Sequence, residues 1–407
     1  MVRLLILLIL APALLWTRVA AAGEFDLDVD LRAVSSDATA SRLHGGLGKL
    51  RFDGQHEGAK LGYVYLGYRG DLTPTVRFTA DAVAYGDHDV NAVDLTEMYL
   101  EWRPIPASSW RSRFKLGAFY PEISLENRMR GWRSPYTLSF SALNTWVGEE
   151  LRTIGAQYNL DWLGRAHGRD FDLSLNVAAF GWNDPAGTVL ATRGWGLTDR
   201  QSTLFGRFAN RGQPQSPLTV FYDEIDQRAG YTAGLSANYR GLLEAKVLHY
   251  DNRANLAASA PKIHDDAWLT YFDSAGLRWT PTARWTLISQ WLHGRTYLDV
   301  ELPNNAWSFD AEFLLASWKR GAQRYSARYD RFASQQTTSN FAQYVQGVYF
   351  GDHGHAWTLA ADRQFNDHWS ATLEAIAVRS TVNQRILDGE PAAATERQWQ
   401  LAVRYAL

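Results

Sequence analysis

Apolar and polar residues alternate through most of this chain, and that alternation constrains it to β-structure. In "EFDLDVDLRAV" (residues 24–34) one parity holds Phe25, Leu27, Val29, Leu31 and Ala33, and the other holds Glu24, Asp26, Asp28, Asp30 and Arg32. Successive side chains of a strand point to opposite faces, so this segment has an apolar face and a densely charged face. A helix would scatter the same residues round its axis.

The pattern recurs to the last residues, for example in "TVRFTADAVAY" (75–85), "FDLSLNVAAF" (171–180) and "ERQWQLAVRYAL" (396–407). It predicts sixteen strands: 24–34, 59–69, 75–85, 93–103, 112–119, 149–160, 171–182, 228–240, 242–251, 266–279, 284–294, 306–319, 322–332, 355–363, 369–379 and 397–407. Residues 45–54, 201–223 and 341–350 also have strand character. We interpret them as hairpin extensions, although one further membrane hairpin would give eighteen strands.

Short and long connections alternate along the chain. Residues 70–74 and 280–283 are short connections, whereas 120–148 and 183–227 are long. Convincing helical periodicity is absent. Short turns at one rim and long loops at the other, with strands of about 9–11 residues, are typical of a transmembrane barrel. The sequence therefore predicts an all-β fold: a transmembrane antiparallel β-barrel of about 16 strands, with short periplasmic turns and long extracellular loops.

The first residues predict export. Arg3 precedes an apolar run over Leu4–Leu15, and Ala20, Ala21 and Ala22 offer a small-residue cleavage site. We therefore expect a signal peptide over 1–22 and a single barrel domain over 23–407. Removing 1–22 leaves 39 basic against 43 acidic residues, a net charge of −4, which gives no reason to expect nucleic acid as a partner. The chain has no cysteine, so no disulfide supports the fold.

Aromatic residues flank the predicted short turns. They are Trp102, Trp162, Phe171, Tyr239, Trp279, Trp285, Phe365 and Trp369. A half-solvated aromatic girdle is expected where a barrel meets the membrane–water interface.

Together these features make the chain resemble the Gram-negative outer-membrane porins. The final strand looks like the C-terminal assembly signal of such barrels, with alternate apolar positions and Tyr405, although it ends in Leu407 where the family usually has Phe or Trp. "FKLGAFYPEISLENRMRGW" (114–132) is similar to the region of phosphate-selective-type porins where a strand runs into the loop that folds into the channel. The resemblance implies a location in the outer membrane.

Residues 120–148 are therefore expected to fold into the barrel and narrow it. This segment has acidic and basic residues that would orient solutes across a constriction: Glu122, Glu126, Arg128, Arg130 and Arg133. The other interpretation is that these are solvated loop charges that form local ion pairs. We expect the pore wall to carry Asp26, Asp28, Asp30, Arg77, Asp81, Glu97, Glu101, Lys115, Lys246, Arg278, Asp310, Glu312, Arg328 and Arg404, each on the polar parity of its strand.

The predicted function is passive diffusion of small hydrophilic solutes or ions through the outer membrane, which needs neither a cofactor nor a covalent step. The expected surroundings are outer-membrane lipid and lipopolysaccharide, and the barrel-assembly machinery through the last strand. A homotrimer is implied by the resemblance alone. The sequence leaves open which solute passes, and whether cations or anions are preferred.

Two other function classes remain open. A barrel plugged by its own loops would favour a surface receptor, an adhesin or an assembly partner. A barrel lipid hydrolase is less favoured because G-x-S-x-G is absent and most histidines fall in loops, so we do not expect an enzyme. "GDHGH" (351–355) is interpreted as a polar loop tip rather than a metal site.

Overall fold

Sixteen antiparallel strands close into one barrel, with each strand paired to its neighbours in chain order. The computed structural model describes residues 23–86, 93–208, 219–260, 265–298, 306–337 and 348–407. The barrel strands are β1 (Glu24–Ser36), β2 (Gly58–Thr73), β3 (Val76–Ala84), β4 (Asp94–Trp102), β5 (Trp110–Phe119), β6 (Thr153–Trp162), β7 (Phe171–Gly181), β8 (Gly230–Tyr239), β9 (Leu243–Asp251), β10 (Trp268–Thr282), β11 (Trp285–Leu298), β12 (Ala306–Arg320), β13 (Gln323–Gln336), β14 (Gly351–Gln364), β15 (Trp369–Val382) and β16 (Ala393–Ala406).

The predicted fold class is confirmed. Each of the sixteen predicted strands overlaps one strand of the barrel. The barrel closes where β1 pairs with β16, and this register puts Asp30 directly opposite Arg404. The signal peptide predicted over 1–22 lies outside the described residues and stays a prediction.

Tight hairpin turns form one rim, here called the turn end. Between β8 and β9, Arg240 and Gly241 have φ values of 53° and 71°. Two consecutive residues with positive φ give the turn whose twist matches the flanking strands, and Gly meets that requirement without steric cost. The opposite rim, here called the loop end, carries the long connections.

The two faces of the strands differ as the alternation predicts. On the outer face Phe25 is 74% exposed and Trp399 is 57% exposed, whereas their neighbours of the other parity point inward. The apolar outer face is what a barrel surrounded by lipid requires. No helix among the described residues has the length and apolar character to cross a bilayer.

The loops depart from the prediction in two places. Two α-helices of the described residues interrupt them, α1 (Ala142–Glu150) and α2 (Thr188–Arg193), so β6 begins at Thr153 rather than at residue 149. Residues 45–54 form no strand and make only isolated bridges. The extension predicted within 201–223 is present as a short pair that joins residues 207–208 to 219–220. The extension predicted at 341–350 lies mostly outside the described residues.

Candidate functional site: the lumen of the barrel

Two chain segments fill the loop end of the barrel. The inner loop (residues 120–152) joins β5 to β6 and contains α1, every residue of which is buried. The second inner segment (residues 183–204) contains α2. Both pack on inward side chains of the wall: the ring of Trp146 lies 5.1 Å from that of Phe309, and Trp195 lies 6.2 Å from the same ring. The loop end is therefore a packed hydrophobic core rather than a column of water.

A buried ion-pair cluster anchors the inner loop to β13. Arg328 is fully buried and donates to Glu126 of the inner loop at 2.7 Å and to Asp330 at 2.8 Å. The same guanidinium donates to the carbonyl oxygens of Ser139 and Phe140 at 2.7 and 2.8 Å. Burying three charges costs several kcal/mol per ion unless they satisfy one another, and this cluster does so with four short contacts.

The start of α1 explains why acidic groups gather here. Glu126 accepts hydrogen bonds from the backbone N–H of Ser141 at 3.1 Å and from the side-chain amide of Asn144 at 2.8 Å. Asp330 accepts from the backbone N–H of Ala142 at 3.1 Å. The first N–H groups of a helix have no partner within the helix and carry a partial positive charge. The wall and the loop therefore supply the acceptors that this helix end requires.

The second inner segment is held at the barrel seam. Asp199 accepts from Arg32 at 2.5 Å and from Arg51 at 3.0 Å. Arg32 also contacts Asp30 at 2.6 Å, and Arg404 reaches the same carboxylate at 2.7 Å. Burial raises the pKa of Asp199, but Arg32 and Arg51 outweigh it and hold the pKa well below its usual range.

The three arginines of the inner loop reach carboxylates of the wall. Arg128 pairs with Glu244 at 2.6 Å. Arg130 pairs with Asp26, and Arg133 pairs with Asp28 while also donating to the Tyr63 hydroxyl at 2.9 Å. Arg128 and Arg130 keep about 40% of their side chains exposed, 41% and 40% respectively. Asp26 and Glu244 lie near the turn end of their strands. The turn-end part of the lumen is here called the vestibule, and the side of the inner loop that carries these arginines is called its floor.

Glu122 is the other acidic group of the inner loop, and it lies against the wall. Its carboxylate accepts from Lys115 at 3.2 Å, from Gln157 at 2.9 Å and from Asn159 at 3.2 Å. Burial raises the pKa of this carboxyl, but Lys115, Lys246 and Arg113 outweigh it and lower the pKa to about 2. Glu122 is therefore ionised at neutral pH.

Most of the residues predicted for the pore wall face inward, in contact with one another or with the inner loop. Asp81 accepts from the Tyr65 hydroxyl at 2.7 Å, and Glu97 accepts from the backbone N–H of Tyr120 at 3.0 Å. Glu101 lies 3.4 Å from Arg103. Nearer the turn end, Arg77 pairs with Asp71 at 2.7 Å. Arg278 faces inward with no ion pair in the described part of the chain.

Asp310 and Glu312 are placed differently from the prediction, because both point outward. On β12 the inward parity is apolar: Phe309, Ala311 and Phe313 are buried against the segments that fill the lumen. The prediction assumed that every polar parity faces water inside the barrel. Where the interior is a hydrophobic core, the apolar parity faces it instead. Glu312 then pairs with Arg331 of β13 on the outer face, at 3.4 Å.

Glu126 also departs from its predicted role. It was expected at an open constriction, yet its side chain is 0% exposed and is bound to Arg328. Four charged residues of this interior were not predicted, namely Lys49, Arg51, Asp199 and Asp352. Arg32 and Glu374 do lie inside, as the polar parity of their strands predicts. Asp199 carries no periodic signal, since it lies in a loop.

The lumen leaves little free volume where the inner loop meets β2–β4. The cavity there is lined by residues including Tyr63, Tyr85 and Arg133, and it holds about 20 Å³. That is roughly the room that one water molecule needs. The inner loop therefore packs closely against the wall in this part of the lumen.

Two groups of described residues could hold a metal ion by the proximity of their donor atoms: His44, Asp53 and His56, and Asp184, Glu224 and Asp226. In the first group the imidazole rings are stacked at 3.8 Å, and Asp53 contacts both rings. Nearly parallel rings do not direct their lone pairs at one point. In the second group the Asp184 carboxylate accepts hydrogen bonds from the backbone N–H groups of Ile225 and Asp226, at 2.6 and 3.2 Å.

The pKa of Asp184 makes a testable prediction about stability. Burial raises its pKa to about 7, and the charges of Asp226 and Glu224 add to the rise. The folded state thus keeps a proton that the unfolded state releases, so stability falls as pH rises from 3.8 to about 7. Asp184→Asn is expected to raise the midpoint of thermal unfolding in detergent at about pH 8 and to leave it unchanged at about pH 4. An equal shift of the unfolding midpoint at both pH values would show that the raised pKa of Asp184 is not its cause.

No protein-family model and no curated protein sequence matches this chain. Solved structures match its fold. The outer membrane channel DcaP of Acinetobacter baumannii is 11% identical, with a TM-score of 0.56 over 95% of this chain and 97% of that one. An anion-selective porin from Comamonas acidovorans is 10% identical, with a TM-score of 0.53 over 95% and 99%. OmpF of Salmonella typhi, solved with daunomycin, is 10% identical, with a TM-score of 0.52 over 95% and 97%.

At these identities the likeness concerns the fold. The sixteen strands and their closure were established from the chain itself. The resemblance drawn from the sequence is confirmed at that level: this chain has the porin-like barrel fold of outer-membrane channel proteins.

Proposed function

We propose that this chain is an outer-membrane channel for small hydrophilic solutes or ions, closed by its inner loop in the conformation described. The observation that carries the proposal is the contact between Arg128, Arg130 and Arg133 and the wall carboxylates, at the floor of the vestibule. Opposed charges across a narrow passage orient and sieve solutes. The pairs of Arg128 and Arg130 are partly exposed, and exposed ion pairs are weak enough to rearrange.

Conductance across a planar bilayer tests the proposal directly. Protein folded in detergent and inserted into the bilayer should give discrete current steps. No conductance from protein that has folded correctly would reject the channel. The single-channel record also measures how often the closed conformation opens.

The three arginines make a separate prediction about ion selectivity. In the variant Arg128→Glu, Arg130→Glu and Arg133→Glu, the charge at the floor of the vestibule is reversed. The reversal potential under a KCl gradient is expected to move toward the potassium equilibrium potential, because a ring of charge biases the sign of the permeant ion. Arg331→Glu is the matched control, since Arg331 lies on the outer face. An unchanged reversal potential in the triple variant would place the arginines outside the conduction path.

The closed lumen also favours a second function, in which the barrel is a surface receptor or an assembly partner. Both inner segments are packed into the core, and little free volume remains beside them. Persistent zero conductance, combined with a partner captured by the loops on intact cells, would support this alternative.

We further infer that the barrel-assembly machinery inserts the chain through β16, and that the chain forms a homotrimer. Cross-linking in native membranes tests the homotrimer.

A further inference from the structure

The carboxylate of Glu122 occupies a polar recess in the wall of the barrel. The recess is formed by inward residues of β5 and β6, which donate to both oxygens of Glu122. Gln157 and Asn159 are 1% and 0% exposed. Two buried amides and an ammonium group that converge on one carboxylate constitute a built site for an anion rather than a chance surface contact.

The recess has more hydrogen-bonding capacity than Glu122 uses. On β7, Asn176 is directly opposite Asn159 in the register. It is 6% exposed, and neither polar atom of its side chain has a partner in the part of the chain that the structure describes. In the same part of the chain, the amide oxygen of Gln157 has no donor. Buried polar groups are rarely left unsatisfied, because each costs about 1–3 kcal/mol.

One cation near the recess has no ion pair among the described residues. Lys246 of β9 makes no hydrogen bond or ion pair in the described part of the chain, although its charge lowers the pKa of Glu122. Glu244, on the same strand, is already paired with Arg128. Small residues separate Lys246 from Asn176: Gly234 is the partner of Asn176, and Ser236 is the partner of Lys246. Because these residues are small, no large side chain stands between Lys246 and Asn176 on the inner surface of the wall.

We propose that this recess binds a small carboxylate solute that carries hydroxyl groups, and that Glu122 occupies it as an internal competitor in the closed channel. The inference rests on the proposed function, because the solute reaches the recess through the vestibule. The carboxylate of the solute takes the place of the Glu122 carboxylate beside Lys115. Its remaining oxygen atoms and hydroxyl groups reach Lys246, Asn176 and the free amide oxygen of Gln157.

Calorimetric titration of malate into the full chain, folded in detergent, tests the proposal. Removing the competitor in Glu122→Gln, and in Glu122→Ala as a second variant, is expected to tighten malate binding by about tenfold. Lys246→Met is expected to weaken it by about tenfold. Glu312→Gln removes a carboxylate from the outer face and should leave the affinity unchanged.

Equal affinity in the wild type and both Glu122 variants would overturn the proposal, and so would unchanged affinity in Lys246→Met. Planar-bilayer recording separates this result from the proposed function. If malate binding changes as expected and no variant conducts, the channel function is rejected and the anion site in the recess is kept. If the protein conducts and Glu122 does not affect malate binding, the anion site is rejected and the channel function is kept.

Discussion

Arg328→Met is expected to lower the free energy of unfolding by about 3–5 kcal/mol, because it removes one partner of a buried ion-pair cluster. Methionine keeps the aliphatic part of the side chain, so loss of packing contributes little to the change. Glu126 and Asp330 would be left as buried charges facing each other, with the carbonyl oxygens of Ser139 and Phe140 losing their donor.

The comparison variant is Arg331→Met, which changes a neighbouring arginine on the opposite face of the same strand. The pair between Arg331 and Glu312 has side chains 67% and 50% exposed, and exposed pairs contribute about 0–1 kcal/mol. Urea unfolding of both variants in detergent measures the difference. A loss of less than about 1 kcal/mol in Arg328→Met would show that the buried ion pairs of Arg328 are not formed in solution.

A second substitution distinguishes electrostatic cost from lost packing. Adding Glu126→Gln to Arg328→Met removes one of the two stranded carboxylates. The double variant should therefore recover part of the stability lost in the single variant, as expected for residues that share one network. If the two losses simply add, the acid and the arginine act independently.

The strands could be predicted from the sequence because their signal is local. In β1 the alternation of Phe25 to Ala33 with the acidic residues predicts the extended conformation and separates an apolar face from a charged face. The same alternation groups Arg404 with the polar face of β16, and at the seam this residue contacts Asp30. These inferences need no knowledge of what fills the barrel.

The interior could not be predicted, because it depends on contacts between residues far apart in the chain. Arg328 lies about two hundred positions from Glu126, and Asp199 lies in a loop with no periodic pattern. Parity alone states which residues share a face, and the contents of the lumen decide which face points inward. The polar parity therefore faces inward in β1, whereas in β12 it faces outward and carries Asp310 and Glu312 with it.

The helices were missed for a related reason. α1 is nine residues long and buried on every side, so it shows no amphipathic stripe of the kind that indicates a surface helix. Its stability comes from tertiary partners: Asp330 at its first turn, and the pairing of Glu150 with the N–H groups of Val189 and Leu190 at its end. Isolated helices of this length are marginal in water.

Replacing residues 121–150 by a linker of about five glycine and serine residues is expected to increase single-channel conductance at least about threefold. Phe119 and Thr153 are register partners on adjacent strands, so a short linker can join β5 to β6 without disturbing the barrel. The replacement removes α1, Trp146 and the three arginines from the lumen. A sixteen-stranded barrel is wide enough that its wall side chains alone do not close it.

The second inner segment remains in this variant, and its anchor at Asp199 is independent of the inner loop. Conductance therefore shows which segment limits the passage. Folded protein is identified by its resistance to unfolding in detergent without heating. If the folded variant conducts no better than the wild type, the closure lies in residues 183–204. Adding Asp199→Asn to that variant removes the ion pairs with Arg32 and Arg51, while the contacts of Trp195 with Asp352 and Ala333 remain, so continued silence would leave the closure with residues 183–204.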